Sequence, residues 1–522
     1  MSLAKATMTN QTPPSLAQDA RNQWRLDHAV TAHAETTPDK PAIHFGDLTV
    51  TYAMLADRVA ATAQKMRHSL TPGDRFAVYS MNHPESFILL LAAARIGAIM
   101  VPLNWRLSVA ELKFQLSDCG PDILFYGAEF ADKIDDLTDN MPGMSAQPIE
   151  QLDEWRATTT NANYPATDTP VPTSIDDDVL IVYTSGTTGR PKGAVLAQHA
   201  LRSNAIMSHH AYTMRPDDIV LNILPLFHVG GLNIQPLPAL ILGATVIMHK
   251  SFDPAAVLQA IATDRITQIT TVPTILGALL DHPDWDRVDM ASLRMIAIGS
   301  TDVPAPLIEA VHARDIPIVQ VYGATETSPT AIYQTADIAM ASAGSIGRAG
   351  CDCAVRLVDQ DGQDVPTGIV GEIWVKGDNI LSRYWHNDAA TATSITDGWF
   401  HTGDMARIDE TGLYWFSDRL KHVIISGGEN IYPAELERLL AGHPELAEFA
   451  IVGRNDARWG QVPVVVAVPR DAAHPIGAKA ILALFETEVA RFKRPKDVLF
   501  VDQLPRNALG KIVAADVAAL VN

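Results

Sequence analysis

The sequence predicts an α/β protein, with a large N-terminal domain of layered sheets and helices, a β-rich subdomain, and a small α+β C-terminal domain. Three observations predict it. Short apolar runs alternate with helical segments through most of the chain. From Ala354 that alternation gives way to strands and turns. Beyond Lys421 a compact mixture of helix and strand restarts. Alternation of this kind is the pattern of parallel sheets covered by helices.

The elements follow in order. Residues 76–79, 99–101, 123–125, 179–182, 244–248, 295–298 and 318–321 are short apolar runs that read as buried strands. Residues 108–118 and 253–264 read as helices between them. Residues 87–103 are apolar but broken by Arg95, Gly97 and Pro102, so they read as a buried helix turning into a strand rather than a membrane span. Residues 354–358 and 371–375 begin the β-rich stretch, and 433–441, 464–468 and 478–490 read as helix, strand and helix. The expected division is a loose N-terminal tail over 1–24, a main domain over 25–418 and a C-terminal domain over 419–522. No Gly/Ser linker marks the last boundary, so any motion there turns on few residues.

A chain of 522 residues exceeds one ordinary core. With 47% hydrophobic and 19% charged residues it is globular rather than disordered. A net charge of −20 excludes a nucleic-acid surface as the main partner. Cys119, Cys351 and Cys353 form neither a disulfide framework nor a zinc set, which suits a reducing cytoplasm. The polar start has no apolar core of a signal peptide. No interface is readable, so a homodimer stays open.

The richest run is YTSGTTGRPKG, from Tyr183 to Gly193. A buried strand feeding Gly, Ser and Thr offers many N–H and O–H donors with little bulk, which suits a polyphosphate. It is not a Walker loop: Gly186 and Gly189 are too close and Pro191 precedes Lys192. Four other runs carry chemistry-bearing residues: PLFHVGG from Pro225, YGATET from Tyr322, GWFHTGD from Gly398, and DRLKHVIISGGENIYP from Asp418. LPRNALGKI follows from Leu504.

In this order and spacing the set resembles the adenylate-forming superfamily: acyl-CoA synthetases, firefly luciferase and peptide-synthetase adenylation domains. The resemblance covers about residue 25 to 512. It implies an enzyme that joins a carboxylate to the α-phosphate of ATP, releases pyrophosphate, and passes the acyl group to coenzyme A. An oxide is a poor leaving group and an adenylate a good one. Catalysis is then positioning plus stabilisation of negative charge.

The resemblance also assigns residues. Thr184, Ser185, Gly186, Thr187, Thr188, Gly189 and Lys192 match the phosphate loop. Glu326, with Thr187, matches the Mg²⁺ ligands, hard oxygens for a hard ion. Tyr322, Gly323, Ala324 and Thr325 match the adenine side, with Tyr322 stacking, and Gly299, Ser300 and Thr301 match the facing wall. Asp404 matches the carboxylate that grips the ribose hydroxyls, assisted by Arg419. Lys511 matches the cation between acyl carboxylate and α-phosphate. Relatives often carry an arginine shortly after it, whereas Val513, Ala514 and Ala515 follow here.

For the thioester step the resemblance implies a mobile C-terminal domain hinged near Lys421. Its swing brings Gly427 and Gly428 to a slender pantetheine arm, with Trp459, Phe492 and Arg494 near the coenzyme A nucleotide. The acyl group is expected near His228, Val229, Gly230 and Gly231, facing 298–301. Amino-acid-activating relatives place an aspartate where His228 stands, so an uncharged acyl group is expected: aromatic, phenylpropenoid-like or medium-chain. Activation for a carrier protein, and a long-chain fatty acyl-CoA ligase, are the alternatives. A serine hydrolase of the α/β type is excluded, because no G-x-S-x-G occurs.

Overall fold

The computed structural model describes residues 25–139, 141–157, 173–184, 191–300, 303–426, 429–457, 459–471, 476–486, 488–489, 491, 493–506 and 511–522. Among these, four sheets form. Two large sheets build the main body. One has seven strands and runs from Arg383–Tyr384 at one edge through Lys192–Ala197, Asp178–Thr184 and Ile99–Pro102 to Ser145–Pro148 at the other. The other has nine strands and carries Ile318–Tyr322 and Met295–Ile298 as parallel neighbours.

The sheets are mixed rather than purely parallel. Asp178–Thr184 pairs antiparallel with Lys192–Ala197, in a register that sets Thr184 opposite Lys192. The chain leaving the phosphate loop therefore returns as a strand, where a Walker loop would open a helix. Leu48–Thr51 adds a second antiparallel edge beside Pro41–Phe45.

The helices have local causes. Val109–Cys119 starts at Ser108, whose hydroxyl accepts from Glu111 N while Glu111 reaches back to Ser108 N, a reciprocal cap. Gly120, at φ 54°, ends it in the left-handed region. Pro254–Thr263 starts on Asp253, whose side chain accepts from Ala256 N, with Pro254 in the first turn. Glu85–Ile96 is apolar almost all round, because every residue but Arg95 is buried; Leu89, Leu90 and Leu91 are each 0% exposed. Each such side chain contributes about 1.5–3 kcal/mol of transfer free energy. The 87–103 segment is thus a helix followed by the strand Ile99–Pro102. No helix among the described residues is long and apolar enough to cross a membrane.

The β-rich unit pairs Cys353–Val358, Gly371–Gly377 and Trp399–Ile408 antiparallel, with Tyr414–Arg419 added to the last. Leu420–His422 is a single 3₁₀ turn, and Ile424–Ser426 begins the fourth sheet. That sheet packs Leu446–Asp456 on Gly460–Pro469, with Asp497–Phe500 parallel to the latter. One expectation fails here. The helix expected over 478–490 spans only Ala478–Ala483. Leu484, Phe485 and Glu486 then bond back three residues, to Ile481, Leu482 and Ala483, so the chain tightens into turns. Phe485 is fully buried at that point, which fixes the bend against the core.

Candidate active site

The site assembles where the strand ends of the nine-stranded sheet meet the β-rich unit. Ile318–Tyr322 delivers the YGATET run. Gly323 cannot carry a side chain, because an added Cβ would lie 1.7 Å from the Pro329 carbonyl oxygen. The chain doubles back there, and Ala324 N donates to Thr327 Oγ1 at 2.9 Å to close the turn Thr325–Thr327. Gly299 is similarly confined, with Val321 O at 2.5 Å from a notional Cβ. Ser300 follows it in the left-handed region, at φ 81°. A serine held in that conformation carries backbone strain, which functional sites commonly do.

Glu326 sits in the closed turn. Its Oε1 accepts from the Tyr384 hydroxyl at 2.8 Å, and its backbone carbonyl accepts from Leu381 N at 2.8 Å. Its own backbone N–H is a second donor to the carboxylate. Desolvation pushes its carboxyl above the usual range, opposed by the Tyr384 hydrogen bond, then by its own backbone N–H, then by the Arg419 charge. A half-buried carboxylate with lone pairs to spare fits Mg²⁺, which is typically held by one or two carboxylates plus phosphates. No cluster of three or more acidic, His or Cys side chains placed for a metal occurs among the described residues. Thr187, the second expected metal ligand, lies outside them, as do Ser185, Gly186, Thr188 and Gly189. Thr184 and Lys192 are the described ends of that loop, with Thr184 Oγ1 donating to Lys192 O at 3.5 Å.

Asp404 and Arg419 face each other across antiparallel strands. Arg419 Nε lies 3.1 Å from Asp404 Oδ1, and Tyr322 OH donates to Asp404 Oδ2 at 2.9 Å. Asp404 is 5% exposed, so the pair is half enclosed. Tyr322 is itself buried, and desolvation with the Asp404 charge holds its hydroxyl protonated. The expected adenine residue and the expected ribose residue are therefore one hydrogen-bonded unit.

Lys511 reaches the same place from the chain end. Its Nζ donates to the Ser300 carbonyl at 3.4 Å. Enclosure of the ammonium lowers its pKa, the nearby Arg419 lowers it further, and Asp404 opposes both. The segment before it is tied to its own sheet, with Arg506 Nη2 2.6 Å from Glu448 Oε1 and Val513 N bonded to Pro505 O. His228 caps the helix Val229–Asn233. Burial pushes its pKa down to about 4, helped by the charges of Lys511 and Arg106. The imidazole is therefore neutral at pH 7. Lys511, Ser300, Asp404, Arg419 and His228 are thus brought together from distant stretches of chain.

The thioester-side residues are less gathered. Trp459 projects at 45% exposure from the turn between the two long C-terminal strands, and its backbone N donates to Asp456 Oδ1 at 2.9 Å. Arg494 Nε donates to Val489 O at 3.3 Å. Gly427, Gly428, Phe492 and Thr301 lie outside the described residues.

Two groups escaped the sequence reading. Tyr384, on the two-residue strand Arg383–Tyr384, carries no motif signal. Arg106 lies over the rings of Trp105 and Phe227, at 4.8 and 5.8 Å from their centres, beside His228. Its position just past a parallel strand, Ile99–Pro102, was the available signal, because ligands gather at the carboxyl ends of such strands.

A sequence profile described as "AMP-binding enzyme" matches residues 30–385, and one described as "AMP-binding enzyme C-terminal domain" matches 435–511. The chain belongs to the AMP-binding enzyme family. It is 44% identical to an indoleacetate–CoA ligase of Aromatoleum aromaticum over 500 residues, covering 95% of this chain and 98% of that one. It is 39% identical to a feruloyl-CoA synthase of an Amycolatopsis species, covering 93% and 96%. A solved structure of o-succinylbenzoate CoA synthetase from Bacillus subtilis with its acyl-adenylate superposes at TM-score 0.83, 32% identity, covering 94% and 97%. The same enzyme with ATP and magnesium gives 0.82, 31%, 93% and 98%.

Proposed function

We propose that this acid–thiol ligase activates an aromatic carboxylic acid as its adenylate and transfers the acyl group to coenzyme A. The observation that carries the reading is Lys511 Nζ at the Ser300 carbonyl, beside Asp404, Arg419 and His228. A lysine from the chain end reaches groups that the sequence assigns to nucleotide and acyl binding. In the first step the acid's carboxylate oxygen attacks the α-phosphorus, the bond to the β-phosphate oxygen breaks, and pyrophosphate leaves. Lys511 holds both approaching anions with one compact cation. Tyr322 and Asp404 hold the nucleoside, and Lys192 and the loop after Thr184 hold the departing phosphates. Glu326 would hold Mg²⁺, which would supply charge neutralisation on those phosphates. In the second step the coenzyme A sulfur attacks the acyl carbon, loses its proton, and AMP departs.

Neutral His228 in place of a carboxylate supports an acid without an ammonium group. The two most similar named relatives given above act on indoleacetate and, by name, form feruloyl-CoA. Both acids are aromatic. The domain division at 418/419, a swing of the C-terminal domain between steps, and cytoplasmic residence belong to the same proposal, as does a homodimer.

A panel of indoleacetate, ferulate, o-succinylbenzoate, benzoate and octanoate, assayed for coenzyme A-dependent AMP formation, tests the substrate class. Aryl acids should lead by at least about tenfold in kcat/KM, the scale of a filled apolar pocket. Preference for octanoate sinks the aromatic reading. Acyl-adenylate that forms but never becomes thioester sinks the acceptor.

A further inference from the structure

We propose that Tyr384 is a positioning residue: it locks the Glu326 carboxylate and the Lys192 ammonium into one arrangement and thereby sets how tightly the enzyme takes a divalent cation with ATP. The inference rests on the reading of Glu326 as the metal carboxylate.

Tyr384 is 6% exposed and lies on an edge strand. That strand pairs antiparallel with Lys192–Ala197, setting Tyr384 opposite Ala194. Trp385 N bonds to Gly193 O at 2.7 Å on the same side. Gly193 permits this approach, because an added Cβ would lie 2.8 Å from Ile181 and 3.2 Å from Trp385. The Tyr384 ring is thereby placed under Lys192, whose Nζ lies 5.2 Å from the ring centre. Its hydroxyl points the other way, to Glu326 Oε1 at 2.8 Å.

Lys192 belongs to the seven-stranded sheet, whereas Glu326 follows a strand of the nine-stranded one. One side chain therefore spans two sheets, with a cation against its face and a carboxylate on its hydroxyl. Leu381 N adds a second tie to the Glu326 turn. The Tyr384 hydroxyl on Oε1, with the Glu326 backbone N–H as the carboxylate's other donor, fixes its rotation and leaves its remaining lone pairs for a metal. Removing the hydroxyl alone frees that rotation without changing the ring.

The test separates this from simple core filling. A non-hydrolysable ATP analogue is titrated by calorimetry, once with Mg²⁺ and once with EDTA. Tyr384→Phe should bind the analogue in EDTA as the wild type does, and should lose about tenfold of the affinity gained with Mg²⁺, the scale of one hydrogen bond to a charged group. Half-saturation by Mg²⁺ in the adenylation assay should rise by a similar factor with the KM for the acid unchanged. Tyr384→Leu should also lose about threefold of the metal-free affinity, from the lost contact with Lys192. Tyr333→Phe, another buried tyrosine, should change neither. Equal losses with and without Mg²⁺ in Tyr384→Phe, or no loss in either, overturn the role of Tyr384. Glu326→Gln separates the layers. If it keeps the full gain with Mg²⁺, the metal reading of Glu326 fails and this inference with it. If it loses the gain and Tyr384→Phe does not, only Tyr384 is misread. In the double variant the two losses should not add, and additive losses contradict the shared arrangement.

Discussion

The wall of the site and the arm that reaches into it are built in opposite ways. On the wall, Asp404 takes Tyr322 and Arg419, and Glu326 takes Tyr384 while its backbone takes Leu381. Tyr322, Arg419 and Tyr384 sit on strands, so Asp404 is held from two sides and Glu326 through both its side chain and its backbone. The arm is Lys511. It donates to the Ser300 carbonyl at 3.4 Å, and Arg506, five residues before it, is tied to Glu448 in the C-terminal sheet. The contrast teaches that the proposed nucleotide groups come from strands of the main body, while the proposed bridging cation comes from the chain end, which suits the proposed withdrawal between steps.

Lys511→Ala should break the comparison most. We expect adenylate formation to fall about 100- to 1000-fold, the scale of one lost electrostatic stabiliser. Thioester formation from supplied acyl-adenylate should stay close to wild type. Pyrophosphate exchange measures the first and rapid-quench transfer the second, and parallel loss of both would count against a detachable arm.

Asp404→Ala attacks the wall instead. It leaves the buried Tyr322 hydroxyl without its acceptor, at a cost of about 1–3 kcal/mol of stability. The KM for ATP should rise about tenfold. Denaturant melts and ATP saturation curves measure the two effects, and a stable variant with normal ATP affinity would remove Asp404 from the wall.

His228 sharpens the comparison through pH. Its pKa is pushed down to about 4 from 6.5 by burial, then by Lys511 and Arg106. Between those values the unfolded chain binds the proton more readily than the folded one. Stability therefore rises with pH across that window and is lost as pH falls through it. His228→Gln should flatten the slope between pH 4 and 6.5 by on the order of 3 kcal/mol across the window. Urea melts at half-unit pH intervals give the slope, and an unchanged profile would place the imidazole in solvent.

Trp459→Ala should do least. Exposed and bonded within its own turn, it should leave adenylation unchanged and raise the KM for coenzyme A by about fivefold, the scale of one lost stacking contact. An unchanged KM assigns the ring to the surface alone.

Legibility in the sequence followed physical range. Buried strands such as Met295–Ile298 and capped helices such as Val109–Cys119 carry their signals within a few residues. Five short runs carried the family, because each concentrates glycines, hydroxyls and charges that an ordinary core does not need. The 478–490 helix was overread, since its apolar spacing persists through Phe485 while the chain turns there to bury that ring. Tyr384 was invisible for another reason. Its meaning lies in partners 192 positions upstream and 58 upstream, at Lys192 and Glu326, and nothing local distinguishes it from a core tyrosine. Arg106 likewise gains its importance only when Trp105, Phe227 and His228 converge on it.

The return of the phosphate-loop chain as a strand has a consequence for sequence drift. Thr184 and Lys192 are register partners, so the loop is pinned at both ends to a single rung of one sheet. From Gly193 to Ala197 every residue is buried on both faces. A residue inserted between Thr184 and Lys192 that slipped the strand by one would invert every buried side chain after it and carry the Ala194–Tyr384 rung out of step. Loop length is thereby constrained by the sheet register: point substitutions in this segment are testable one at a time, whereas a single-codon insertion or deletion that slips the strand should read out as loss of fold.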